Sequence, residues 1–269
     1  MTTRLCLFAH FDAQGEIKPF IVHYLRQLRE TCDEVVFITV SAPPAHELSK
    51  LEGLVTEVLH KDNEGYDFAM WQLALAGRDL SAYDEVLLTN SSVFGPLWPL
   101  ARSFERMASV ACDVWGMTES PEIDWHLQSY FLLFRRAAHQ SPWFKTFWDS
   151  VVPYRSKFQA IRSYEIGLSV FLRERGLCLV SLAPLPPPPP RTLADRWHGR
   201  HPPTGNPTCG RPADLIDAGM PLVKVELLRD NPMDVDLRPV HQQIARSGYD
   251  LGLLVYDRPR HLRATQWDP

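Results

Sequence analysis

The first half of the chain alternates short apolar segments with amphipathic ones, and this alternation limits the fold more than any other feature of the sequence. Residues 4–9 and 34–40 are apolar runs of strand length, and residues 18–30 between them carry apolar side chains at helical spacing. The same patterns predict strands at residues 54–59, 85–89, 112–117 and 130–134, and helices at residues 67–76, 99–108 and 163–175. Apolar strands between helices are typical of a parallel sheet covered on both faces. We therefore expect an α/β protein with an open, mostly parallel sheet flanked by helices.

Composition and charge narrow the class of protein. The chain has 269 residues, of which 45% are hydrophobic and 22% charged, as in a globular enzyme with one large domain or one domain and an appendage. Its net charge of −4 creates no field that attracts nucleic acid, so we expect no nucleic-acid partner. Five scattered cysteines without a CxxC pair indicate a reducing compartment and argue against a zinc knuckle or a dithiol site.

No segment has the length of a membrane span or of a signal-peptide core. The apolar start at residues 5–8 is interrupted by His10, and the longest apolar run, residues 130–134, is far below the ~20 residues that cross a bilayer. We therefore predict a cytoplasmic protein without a transmembrane segment. Any contact with a membrane would be peripheral, at the inner face of the cell membrane.

A proline-rich segment divides the chain. Residues 186–190 are consecutive prolines, which form a stiff, extended spacer. We assign residues 1–183 to the α/β domain, residues 184–190 to the spacer and residues 191–269 to a C-terminal lobe. The block at residues 221–232 is too apolar for a free tail, so we expect the lobe to pack on the same domain.

Polar and acidic side chains follow the apolar strands where each strand ends. Ligands of an open α/β sheet bind beside the carboxyl ends of the strands, so these side chains are the first candidates for a site, although turns are polar in any case. They are His10, Asp12, Ser41, Asn90, Ser91, Ser92, Thr118 and Glu119. A Rossmann dinucleotide site is not expected, because no GxGxxG sequence follows the first strand.

Seven short strings resemble, in the same order, those of the rhamnan synthesis F family across about residues 4–235. They are LFAHFD (7–12), NEGYDFA (63–69), NSSVFGP (90–96), WGMT (115–118), HLQSYF (126–131), YEIGL (164–168) and VELLRDNP (225–232). One such string is weak evidence, but seven in order indicate the family.

The resemblance implies a glycosyltransferase of rhamnose-containing glycans. The donor would be a nucleotide-activated L-rhamnose such as dTDP-rhamnose. The acceptor would be a lipid-linked or oligosaccharide chain of an O-antigen or a cell-wall polysaccharide. The family is also distantly similar to the GT-A glycosyltransferases, whose fold is an open α/β sheet. Residues 1–183 would then bind the nucleotide sugar and carry out an inverting transfer.

In the GT-A comparison, Asn90-Ser91-Ser92 falls where those enzymes carry Asp-x-Asp, which holds a divalent metal on the donor diphosphate. This turn contains no carboxylate, whereas Mg²⁺ and Mn²⁺ prefer anionic oxygen ligands. We therefore name no metal ligand and no certain cofactor, and we predict that any activity depends only weakly on Mg²⁺ or Mn²⁺. Three basic residues are candidates to neutralise the diphosphate instead: Lys224, Arg229 and His126.

The same comparison places Glu165 where GT-A enzymes carry the catalytic acid at the start of a helix. An inverting transfer needs one base to take the proton of the acceptor hydroxyl. We predict that Glu165 is this base, with Asp12 and Glu119 as the next candidates. An acid in the first turn of a helix also complements the helix dipole without any catalytic role, and the sequence leaves both interpretations open.

The predicted ligand contacts divide into two groups. Donor contacts are expected from His10, Asp12, Asn63, Gly65, Asp67, Asn90, Ser91, Ser92, Lys224 and Arg229. Acceptor or phosphate contacts are expected from Thr118, Glu119, His126 and Gln128. His126 and Gln128 alternate on an extended stretch, so both side chains can face one ligand. Asn63, Gly65 and Asp67 suit a turn and a helix cap equally well.

A second hypothesis, of another class, fits the same residues. The chain would be a non-catalytic module that binds a glycan or a nucleotide sugar and assists a polysaccharide-synthesis complex, and the neutral Ser91 suits this role. Turnover separates the two hypotheses, because a module would hold the nucleotide sugar without releasing free nucleotide.

Overall fold

The centre of the computed structural model, which describes residues 2–184 and 205–256, is a seven-stranded sheet. Within those residues the strands are β1 (Arg4–His10), β2 (Glu34–Thr39), β3 (Glu57–His60), β4 (Glu85–Asn90), β5 (Val93–Phe94), β6 (Val114–Gly116), β7 (Glu119–Ser120), β8 (His126–Leu127), β9 (Phe131–Arg135), β10 (Leu179–Ser181) and β11 (Val223–Lys224). The sheet has the order β10-β6-β9-β4-β1-β2-β3. All neighbours are parallel except β9, which runs antiparallel between β4 and β6. The predicted open, mostly parallel α/β sheet is confirmed.

Helices cover both faces of this sheet. In the described ranges they are α1 (Pro19–Thr31), α2 (Ala45–Leu48), α3 (Tyr66–Leu75), α4 (Ala101–Ala108), α5 (Arg136–His139), α6 (Pro142–Asp149), α7 (Lys157–Ala160), α8 (Gly167–Arg173), α9 (Pro207–Gly210), α10 (Pro212–Asp217), α11 (Val225–Asp230) and α12 (Arg238–Ser247). None of these described helices combines the length and the apolar character that crossing a membrane requires.

The two faces of the sheet bury separate sets of side chains. Successive residues of a strand point to opposite faces. Cys6 and Phe8 of β1 therefore pack with α1, α4 and the C-terminal helices, whereas Leu5 and Leu7 pack with α3, α6 and α8. Because both faces are covered, β1 is apolar without interruption from Leu5 until it reaches His10.

The C-terminal part of the described chain, residues 205–256, shares the core of the sheet. Leu222 and Ile244 are buried in the same cluster as the apolar face of α1. The backbone N–H of Leu97 donates a hydrogen bond to the Pro221 carbonyl (2.8 Å), and β11 pairs antiparallel with β5. This pairing brings the C-terminal segment to the edge of the sheet where β4 ends.

Two sequence predictions concern the path of the chain: the proline-rich spacer and the helix at residues 163–175. The predicted spacer lies outside the described residues apart from residue 184, and so do residues 191–204 and 257–269 of the predicted lobe. The helix predicted at residues 163–175 begins earlier, at Lys157, and passes through a π segment, Ile161–Ile166, into α8. The early start was missed because α7 buries only Ala160, which gives too weak an apolar pattern.

Candidate functional site

The site is built around the turn that ends β4. Asn90 donates a hydrogen bond from Nδ2 to Asp67 Oδ2 (2.8 Å), and its Oδ1 accepts from the backbone N–H (3.1 Å) and the hydroxyl (2.6 Å) of Ser92. The backbone N–H of Ser91 donates to the carbonyl of Ala9, at the end of β1 (3.0 Å). The turn is therefore closed on itself, tied to the start of α3, and placed at the carboxyl edge of the sheet, where open α/β folds bind ligands.

Gly65 determines how the chain enters α3. Its φ of +82° lies in the left-handed region, and a Cβ at this position would lie 2.5 Å from Ala69 Cβ and 2.8 Å from Pro153 Cα. Only glycine fits such a position without a shift of the backbone. The resulting path places Asp67 in the first turn of α3, within hydrogen-bonding distance of Asn90.

Lys224 reaches the same edge from the C-terminal segment. In the β5–β11 ribbon it lies opposite Val93, and its Nζ donates a hydrogen bond to Ser92 Oγ (3.1 Å). The same Nζ lies 4.3 Å from the centroid of the Tyr130 ring. The quadrupole of an aromatic ring attracts a cation above its face, so Ser92 and Tyr130 together position the ammonium group.

Glu165 lies in the π segment between α7 and α8. Its Oε2 accepts hydrogen bonds from the backbone N–H (3.2 Å) and the hydroxyl of Ser129, and its Oε1 lies 3.5 Å from His126 Nε2. His126 Nδ1 lies 2.8 Å from the Asp124 carbonyl, so Nδ1 carries a proton and Nε2 faces the carboxylate. The Glu165 side chain is 20% exposed and is therefore not sealed in the core. π insertions recur at functional sites in proteins.

The contacts of this pair control its protonation. Burial opposes the charge of His126, but the hydrogen bonds to Glu165 and to the Asp124 carbonyl outweigh burial and raise the pKa of the imidazole. Burial also opposes the charge of Glu165, but hydrogen bonds from His126 and Ser129 and the charge of Lys224 lower the pKa of this carboxyl. Glu165 is therefore ionised at neutral pH.

Asp67, Glu165 and Lys224 form one electrostatic unit, which we call the acid–lysine cluster. Burial and the charge of Glu165 raise the pKa of Asp67 to about 6, against the hydrogen bond from Asn90 and the charge of Lys224. Burial outweighs the charges of Glu165 and Asp67 and lowers the pKa of Lys224. Each member of the cluster therefore depends on the charges of the other two.

Thr118 and Gln128 belong to a buried network that fixes Tyr130. Thr118 Oγ1 donates a hydrogen bond to Gln128 Oε1 (2.7 Å) and lies 2.8 Å from the Tyr130 hydroxyl. Gln128 Nε2 donates to Asn206 Oδ1, in the C-terminal segment (2.9 Å). His126 and Gln128 thus lie on one extended stretch but have different partners, since only His126 contacts Glu165.

His10 and Asp12 organise the loop that follows β1. His10 is fully buried, its Nδ1 lies 3.0 Å from Thr39 Oγ1, and burial lowers its pKa to about 4, so the imidazole is neutral. Asp12 Oδ1 accepts hydrogen bonds from the backbone N–H groups of Gln14 (2.9 Å) and Glu16 (3.0 Å). In the described part of the chain, these contacts shape the loop and do not join it to the acid–lysine cluster.

The remaining predicted residues have other neighbours. Glu119 accepts a hydrogen bond from the hydroxyl of Ser181 (2.7 Å), and Arg229 pairs with the adjacent Asp230 on α11 (2.6 Å). Asn63 is exposed in the loop between β3 and α3. The partners of Glu119 and Arg229, Ser181 and Asp230, are not members of the acid–lysine cluster.

Ser129 and Tyr130 contribute to the site although sequence reasoning missed both as site residues. Ser129 holds Glu165, and Tyr130 lies under Lys224. The available signal was their position, because both follow His126 within the HLQSYF string.

A metal-binding group or a cavity could also mark a ligand site in the described residues. Within residues 2–184 and 205–256, no group of three or more His, Cys, Asp or Glu side chains is arranged to hold a metal ion. A cavity of about 530 Å³ lies elsewhere, where α1 meets the C-terminal segment, with His23, Arg26 and Lys50 among its lining residues. None of its lining residues belongs to the acid–lysine cluster.

Comparison with known proteins finds a relative that matches over part of its length and several solved structures with low sequence identity. Over 195 residues the chain is 25% identical to virulence protein VirA of Vibrio anguillarum. The match covers 65% of this chain and 62% of the relative, so the chain spans less than two thirds of that protein's length.

Two solved structures illustrate the likeness in fold. One is glucosyl-3-phosphoglycerate synthase from Mycobacterium tuberculosis, with a TM-score of 0.45 and 12% identity over 81% of this chain and 80% of that chain. The other is S. aureus TarS 1-349, with a TM-score of 0.43 and 14% identity over 91% of this chain and 70% of that chain. Sequence identities and TM-scores as low as these give no information about the ligands of this chain.

The match to a protein family is broader. The family described as rhamnan synthesis protein F matches residues 35–262, which is most of the chain. The matched region contains all of the strings noted in the sequence except the first, residues 7–12. The chain therefore belongs to the rhamnan synthesis protein F family.

Proposed function

We propose that this chain is a glycosyltransferase that transfers L-rhamnose, with inversion, from a nucleotide-rhamnose donor to a growing surface polysaccharide such as an O-antigen or a cell-wall glycan. Membership of the rhamnan synthesis protein F family supports a role in making such a glycan. The observation that carries the proposal is Glu165, an ionised carboxylate that Ser129 and His126 hold at the carboxyl edge of the sheet and whose pKa the charge of Lys224 helps to lower.

The proposed reaction is a single displacement. The acceptor hydroxyl oxygen attacks the anomeric carbon and its proton passes to Glu165, while the bond from that carbon to the diphosphate breaks and both electrons leave with the nucleoside diphosphate. Attack on the face opposite the leaving group inverts the configuration. Ser129 and His126 restrict the orientation of the carboxylate, and a base must be positioned in this way to contribute to the rate.

We also propose dTDP-rhamnose as the donor and a lipid-linked or oligosaccharide chain as the acceptor. Such a transfer would take place in the cytoplasm, with peripheral contact to the inner face of the cell membrane. The predicted donor contacts at Asp67, Asn90 and Ser92 are joined by hydrogen bonds at the end of β4, which supports the binding of one ligand there.

One observation favours the alternative of a non-catalytic binding module. Both carboxylate oxygens of Glu165 already have partners, because Oε2 accepts from Ser129 and Oε1 faces His126. A carboxylate held in this way could serve only to stabilise the fold beside a bound nucleotide sugar. The two functions differ in turnover and not in donor binding.

The experiment is a panel of nucleotide sugars, including dTDP-rhamnose, incubated with the purified protein and an oligosaccharide acceptor. Donor binding is measured by calorimetry, and release of free nucleotide is measured in the same samples. Binding and acceptor-dependent release with dTDP-rhamnose are expected. Release with another donor alone would refute the rhamnosyl part of the proposal. Binding of a donor without release under any condition would favour the module.

A further inference from the structure

We propose that Lys224 is the cation that binds the diphosphate of the donor, in place of a divalent metal ion. This inference rests on the proposed function, because it assumes a nucleoside diphosphate as part of the ligand. The C-terminal segment then supplies, from strand β11, the residue that completes the site at the edge of the sheet.

The first argument is position. Lys224 lies opposite Val93 in the β5–β11 ribbon, and the backbone N–H of Val225 donates a hydrogen bond to the Ser92 carbonyl (2.9 Å). The Nζ of Lys224 also donates a hydrogen bond to Ser92 Oγ (3.1 Å). Main-chain and side-chain contacts therefore both hold the lysine against the turn that follows β4. A ligand at the carboxyl end of β4 would meet this ammonium group directly.

The second argument is hydrogen-bonding capacity. An ammonium group carries three donors. Ser92 Oγ takes one of them, and Ser92 in turn donates its own hydroxyl to Asn90 Oδ1 (2.6 Å), which fixes the direction of the bond. Within the described ranges, Lys224 has no other hydrogen-bond acceptor, so two donors remain for phosphate oxygens.

The third argument is rigidity. Tyr130, whose ring lies under Nζ, is almost fully buried, and its hydroxyl is held 2.8 Å from Thr118 Oγ1. Thr118 is bonded to Gln128, and Gln128 is bonded to Asn206 in the C-terminal segment. The platform for the lysine is therefore connected to both parts of the described chain.

The fourth argument concerns the acids at this edge. A divalent cation such as Mg²⁺ needs several oxygen ligands, usually including carboxylates. Asp67 Oδ2 accepts from Asn90, and Glu165 accepts from Ser129 and faces His126, so each acid is held by its own partners. At least one carboxylate oxygen of each acid is therefore already engaged by a protein group and is not free for a metal ion.

The test measures binding of dTDP, UDP, GDP and inorganic pyrophosphate by calorimetry, in EDTA and in Mn²⁺. The proteins are the wild type, Lys224→Met, Lys224→Arg and the matched control Lys145→Met. Lys145 lies on α6 with an exposed side chain that pairs with Asp149. Melting temperatures of all four proteins establish that each variant is folded.

We expect the wild type to bind at least one diphosphate in EDTA. Lys224→Met should weaken this binding about 10- to 100-fold, as for the loss of a hydrogen bond to a charged group. Lys224→Arg should weaken it less, and Lys145→Met should bind as the wild type does.

Two results would overturn this inference and leave the proposed function standing. One is diphosphate binding that is unchanged in Lys224→Met, and the other is binding by the wild type that requires Mn²⁺. If the wild type binds none of the diphosphates with or without Mn²⁺, the inference fails together with the proposed nucleotide-sugar donor. If Lys224→Met does not fold, Lys224→Gln, which removes the charge and keeps a polar side chain, replaces it, and an affinity equal to that of Lys145→Met would refute the role of Lys224.

Discussion

Replacing Glu165 by Gln separates a catalytic base from a structural carboxylate. The amide oxygen of Gln can still accept hydrogen bonds from Ser129, but the side chain cannot take a proton and carries no charge for His126. If Glu165 is the base, turnover should fall ~10²–10⁴-fold, which corresponds to about 3–5 kcal/mol of barrier, while the affinity for the donor changes little.

The structure also sets the expected loss of stability and its dependence on pH. Losing the interaction with a charged partner costs about 1–3 kcal/mol. The pKa of His126 is raised above 6.5, so its contribution is complete below that value and is lost as the pH rises through the folded pKa. The pKa of Glu165 is lowered below 4.5, so its contribution is complete above that value and is lost as the pH falls through the folded pKa. The difference in stability should therefore be largest between about pH 4.5 and 6.5.

The assay compares turnover, donor affinity and melting temperature at pH 5.5 and pH 8.5. The control is Glu174→Gln, directly after the last residue of α8, where the side chain is 69% exposed and should affect none of these quantities appreciably. Turnover within a factor of about two of the wild type would refute the assignment of the base. An equal loss of melting temperature for Glu165→Gln at both pH values would contradict the ion pair with His126.

Two further predictions concern the start of α3. Asp67→Asn should raise the free energy of unfolding by about 1–3 kcal/mol at pH 8 and leave it nearly unchanged at pH 3.5. The reason is that the pKa of Asp67 is raised to about 6, so that ionising this carboxyl in the folded protein costs more stability as the pH rises. Chemical denaturation at both pH values measures the effect, and an equal effect at both would contradict the prediction. Gly65→Ala should lower the stability by about 2–4 kcal/mol, because of its positive φ and the 2.8 Å approach to Pro153 Cα. Gly77→Ala, with a φ of +71° and nothing within 4 Å, should cost only about 1–2 kcal/mol, and equal losses would show that the contact with Pro153 is unimportant.

The fold class and the edge that carries the site could be predicted from local patterns. Uninterrupted apolar strands such as β1 require burial on both faces, and amphipathic segments such as α1 supply the cover. Polar residues at the ends of these strands, among them Asn90 and Ser92, then had to lie at one edge of a mostly parallel sheet. The strings quoted above indicated the family without any structure, and the match over residues 35–262 agrees with them.

Local patterns could not predict which polar residues come together. Lys224 and Ser92 are 132 positions apart, and their contact depends on a two-residue ribbon, β5–β11, too short to leave a periodic signal. The π segment that carries Glu165 depends on tertiary packing and has no apolar repeat of its own.

The sequence by itself thus determined the kind of sheet, its two covered faces and the family, because burial imposes a periodic pattern on neighbouring residues. Only the tertiary structure decided the partners of each polar side chain. It assigned Thr118 and Gln128 to a network around Tyr130, and Ser129 and His126 to Glu165. Hydrogen bonds between distant segments leave no periodic trace in the sequence, since each needs one donor and one acceptor that the complete fold brings together.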